Sequence, residues 1–143
     1  MNKILLLLIV LIPSLSWGKM KTLNEILQIR DMSDKTSVLY VLQRCSGLFA
    51  TGWDHILDQN PSVAEGLLYN SRLLTYKASL LYEAPNLSEE EKLQEQVQAS
   101  QNFQKIYTDF FTENWINNGA YFEGTWIEGD LSICTEVVNM FGN

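Results

Sequence analysis

From residue 19 onward the apolar residues recur with a period near 3.6, and no stretch of clean alternation is long enough to specify a sheet. That periodicity allows an all-α fold and little else. We expect a small orthogonal or up-down bundle of four to five helices, in one domain spanning residues 19–143.

Start and stop signals divide the pattern. A short first helix over 23–29 would bury Leu23, Ile26 and Leu27. The second, over 35–59, is capped by Asp34 and must end before Pro61. Its apolar face includes Val41, Leu42, Cys45, Leu48 and Phe49, while Gly47, Ala50 and Gly52 keep it thin enough for close packing on several sides. Asn60 and Pro61 open a third helix, over 61–83, with an inward arc of Val63, Leu67, Tyr69, Leu73, Leu74, Ala78 and Leu81. Ser88 and Glu91 form a capping box for a fourth, over 89–118, stopped by Gly119. Its expected stripe is Leu93, Val97, Phe103, Ile106, Tyr107, Phe110, Phe111 and Trp115, with Glu91, Glu95, Asp109 and Glu113 as a solvated outer face. Residues 119–130 hold glycines at 119, 124 and 129 among aromatics and read as an ordered loop, after which Asp130 would cap a last helix over 131–141.

The N-terminus carries the parts of a secretory signal: Lys3, the greasy run Ile4 to Ile12, then Pro13 and small residues. Residues 1–18 are expected to be removed after Gly18, or alternatively after Ser16. The run is too short to span a bilayer, so no stable membrane anchor is expected. Export to the periplasm or outside the cell is the expectation, where Cys45 and Cys134 can bond. No CxxC or paired Cys/His spacing accompanies them, so neither a metal site nor a cofactor is expected. The formal charge of −7 argues against nucleic acid, whose affinity rests on Lys and Arg, and suits docking onto a basic partner.

Catalytic sets are sparse. His55 is the only histidine, and Asp58 diverges from it by about 60° in a helix, which makes a poor metal clamp. More suggestive are polar residues inside apolar arcs: Arg44 and His55 on the second helix, Asn70 and Lys77 on the third, and Gln96, Ser100, Tyr107 and Asn114 on the fourth. Burying such groups costs free energy unless they find partners. Helical bundles build ligand sites from inward polar groups, so Arg44, His55, Asn70, Lys77 and Tyr107 form a candidate site for a small anionic or amphipathic molecule. The plainer alternative is that these groups satisfy one another, with Lys77 laying its stem on apolar surface. Trp115, Tyr121, Phe122 and Trp126 form a candidate surface for a protein partner, or else a lid on the core.

Three functions follow as expectations. The first is an exported, non-enzymatic interaction protein, such as an inhibitor, immunity or accessory factor, binding a protein partner. The second is a helical carrier or sensor of a small ligand. The third is a hydrolase using His55.

Overall fold

A computed structural model describes residues 20–142; the signal reading of residues 1–18 lies outside them. The described residues form five α-helices and no strand: α1 (Leu23–Ile29), α2 (Lys35–Ile56), α3 (Pro61–Leu81), α4 (Glu89–Asn118) and α5 (Trp126–Phe141).

Side-chain caps explain most of these boundaries. Asp34, Asn60 and Ser88 each accept the backbone N–H three residues on, with Glu91 completing the capping box at Ser88. A second capping box, Thr22 with Glu25, opens α1. Gly119 ends α4 in the left-handed conformation at φ 69°, which costs a side-chain-bearing residue about 1 kcal/mol or more.

α2 is the central element and packs against α3, α4 and α5, while α1 rests on α5. The close approach is real at Gly47, where an added Cβ would sit 2.5 Å from the Cβ of Phe103 and 2.7 Å from backbone atoms of α4. Beside it the Ser46 hydroxyl meets Thr75 Oγ1 at 2.6 Å, Ser100 Oγ at 2.7 Å and the Ser71 carbonyl at 2.8 Å. Small hydroxyl residues thus hold α2, α3 and α4 together where larger side chains would force them apart. At the other face, Cys45 and Cys134 form a disulfide that joins α2 to α5 across a separation of 89 residues.

Several expectations need correction. The last helix begins at Trp126, capped by Thr125, so Asp130 lies inside it rather than at its cap. Gly129 did not break it: a helical glycine costs about 1 kcal/mol relative to alanine, and burial of Ile127 together with the hydrogen bonds Asp130 accepts from Leu23, Arg44 and Tyr107 outweighs that. α2 ends at Ile56, with Leu57 as its C-cap, and α3 ends at Leu81. Val63 and Tyr69 on α3, and Leu93, Val97, Ile106 and Trp115 on α4, are exposed, although periodicity placed them inward. The buried residues of α4 are Gln96, Ser100, Tyr107 and Phe111: Tyr107 and Phe111 come from the expected stripe, and Gln96 and Ser100 are polar residues read as lying inside its arc, so it is the outlying apolar positions that packing leaves uncovered.

Candidate functional site

Arg44 and Tyr107 do come together, but around each other and Asp130. Arg44 Nε donates to the Tyr107 hydroxyl at 2.8 Å, and Arg44 Nη2 donates to Asp130 Oδ2 at 2.5 Å. The Tyr107 hydroxyl donates to the same carboxylate oxygen at 2.6 Å, and the Leu23 N–H donates to Asp130 Oδ1 at 2.6 Å. All three side chains are buried. Burial pulls the guanidinium down, but Tyr107 and Asp130 more than offset it and hold Arg44 above its ordinary value. Burial raises Tyr107 well above a free phenol, with the Asp130 charge and hydrogen bond adding to the rise and Arg44 opposing it. The cluster therefore spends its polar atoms internally, linking α1, α2, α4 and α5.

Asn70 and Lys77 are half-buried on α3, and neither is among the partners of Arg44 or Tyr107. His55 Nδ1 sits 2.9 Å from the Thr51 carbonyl, and its ring packs edge-on against Phe111 and Tyr121, each 5.1 Å away. The nearby Thr51 hydroxyl is directed to the Gly47 and Gln104 carbonyls. Gln96 pairs with Gln43 at 2.7 Å, and Asn114 donates to the Tyr121 carbonyl at 2.9 Å. Among the described residues, no group of three or more His, Cys, Asp or Glu side chains is placed to hold a metal ion.

The aromatic residues divide. Trp126 packs edge-on to Phe110 at 5.0 Å and lies 6.1 Å from Tyr107, as a cover over the buried cluster. Trp115 stacks on Tyr121 at 4.8 Å, and Tyr121 stacks on Phe111 at 5.8 Å. With Phe122 these three rings border a groove of about 480 Å³. Leu48, Gly52, Ile56, Val63, Leu67, Ile127 and Leu131 complete its apolar lining, while Gln59, Asn60 and Glu123 add polar groups. The loop that walls the groove is fixed by local structure. Gly119 and Gly124 both take positive φ, Thr125 Oγ1 donates to the Phe122 carbonyl at 2.7 Å, and the Gly124 N–H donates to Glu128 at 3.0 Å. Gly52 matters here because an added Cβ would already touch Leu67 at 3.0 Å.

Sequence reasoning found Trp115, Tyr121 and Phe122 but missed the α2 and α3 residues opposite them. Their apolar character looked like core, and only the tertiary packing leaves a gap between them and the loop. No family model, no characterised protein and no solved structure matches this chain.

Proposed function

We propose that this chain is an exported, non-enzymatic binding protein that docks a protein partner in the aromatic groove between the C-terminal end of α2, the start of α3 and residues 119–125. The groove itself is the observation that carries this reading. It has the volume of a small-ligand site, and along one side Phe111 and Trp115 each stack on Tyr121, with Trp115 half exposed. Large aromatic anchors in a partly desolvated pocket are the features on which protein interfaces concentrate binding energy. The stacked rings are already fixed by the fold, so little side-chain entropy is lost on binding. Support for export comes from the Cys45–Cys134 disulfide, which persists in oxidising compartments.

The test compares tagged wild-type protein with Trp115→Ala and Ala120→Trp, each captured gently from the compartment where the protein resides. A specific protein retained by the wild type and released by both variants, with circular dichroism unchanged, is the expected result. Equal retention by all three, or none by the wild type, would overturn protein docking in the groove. The groove's volume also favours a second reading, a small amphipathic molecule in the same place. Native mass spectrometry separates the two, since a small mass would then be retained in place of a protein.

A further inference from the structure

Every residue that lines the groove belongs to one of two stretches, 45–71 and 106–142. Neither stretch contains a lysine or an arginine, yet together they hold nine of the seventeen carboxylates. One of these, Asp130, is committed to Arg44; the other eight are exposed. Glu123 lines the groove itself, and Asp58 directly precedes the lining residues Gln59 and Asn60. The lysines and arginines of the described residues all fall in 20–44 and 72–105. Charge is thus divided unevenly along the chain, and every residue lining the apolar groove comes from the two stretches whose only charged side chains other than His55 are carboxylates.

Resting on the docking reading above, we propose that the groove accepts a cationic segment of the partner protein, in which one large apolar or aromatic side chain is flanked by lysine or arginine. The apolar side chain displaces water from the groove, and the flanking cations meet the carboxylates around it. An aromatic wall suits the same occupant, because ring faces attract ammonium and guanidinium groups. A summed negative potential over one end also speeds encounter with a positive partner and repels acidic ones. A second copy of this chain docked groove to groove would bring the same carboxylates together and is disfavoured by that charge.

The experiment titrates the disulfide-bonded, isotope-labelled protein with two synthetic peptides of equal length. Each has a central tryptophan, flanked by lysines in one and by glutamates in the other. Amide shifts at Gly119, Ala120 and Glu123 report occupancy. The lysine peptide is expected to bind there at least about tenfold more tightly, with the gap shrinking as salt rises from about 50 to about 300 mM. The gap should also shrink in Asp58→Asn/Glu123→Gln, and replacing the tryptophan by alanine should abolish the groove shifts. Equal affinity for both peptides in the groove would overturn the cationic assignment while leaving the docking reading intact. Shifts in the groove with neither peptide would overturn both. Concentration-dependent self-association with groove shifts would put a second copy there and equally overturn the proposal.

Discussion

Among the described residues Arg44 is the largest fully buried side chain, and its burial depends on Asp130 and Tyr107 being in place. Removing one member of a buried ion pair leaves the other charge without a partner, so Asp130→Asn should cost about 3–5 kcal/mol in urea unfolding. The double variant Arg44→Met/Asp130→Asn removes both charges while keeping an acceptor for the Leu23 N–H. It should be less destabilised than Asp130→Asn alone, a non-additivity that a cost equal to the sum of the single substitutions would disprove. Tyr107 gives the cluster a pH signature. Its phenol is raised in the folded state, so its contribution is fully present below the ordinary tyrosine value of about 10 and is lost as pH climbs beyond it. Stability measured from neutral pH to above that value should fall more steeply for wild type than for Tyr107→Phe. Parallel curves would show that the phenol does not supply the alkaline sensitivity.

The helices differ in how much room they leave for change, and their glycines measure it. Gly47 sits where α2 touches α4, and a methyl group there meets backbone that cannot swing aside. Gly47→Ala should destabilise by about 1–3 kcal/mol. Gly66 on α3 and Gly129 on α5 have nothing within 4 Å of the position a Cβ would take. In those two, alanine should instead stabilise by about 0.5–1 kcal/mol, through helix propensity and a less flexible unfolded chain. Thermal unfolding of the three variants side by side checks this reversal of sign. The same geometry explains why Asp130 was misplaced from local pattern alone, and where a signal existed. Asp130 is four residues before Cys134, hence on the same helical face, and Arg44 is the neighbour of Cys45. A disulfide between those cysteines brings the arginine and the aspartate opposite each other.

At the level of the assembled bundle, the disulfide and the Arg44–Asp130 pair are adjacent links between α2 and α5. α5 in turn supplies Ile127 and Leu131 to the groove. Replacing both cysteines by serine should cost about 2–5 kcal/mol, because a long covalent loop is released in the unfolded chain. Partial opening should be seen first in hydrogen exchange along α5, since α5 loses its covalent tie to α2. Uniform loss of protection across α2, α3 and α5 together would mean that the disulfide stabilises the bundle only as a whole.

Caps, proline stops and a 3.6-residue period were enough to specify the helical class, four of the five helix starts and the Cys45–Cys134 pairing, because each depends on neighbours close in the chain or on a count. Which apolar positions of α4 stay uncovered, the partners of its buried polar groups, the fate of Asp130 and the groove were settled only by packing. On α4, polar Gln96, Ser100 and Tyr107 turn inward while Leu93, Val97 and Ile106 face out. The sequence marks these polar groups as lying inside the arc but not what satisfies them, because their partners stand on other helices: Gln43 and Ser46 on α2, and Asp130 on α5. The groove likewise joins residues 48–67 to residues 111–131. The absence of lysine and arginine from the stretches that line it is written in the chain, but its shape exists only once those distant stretches meet.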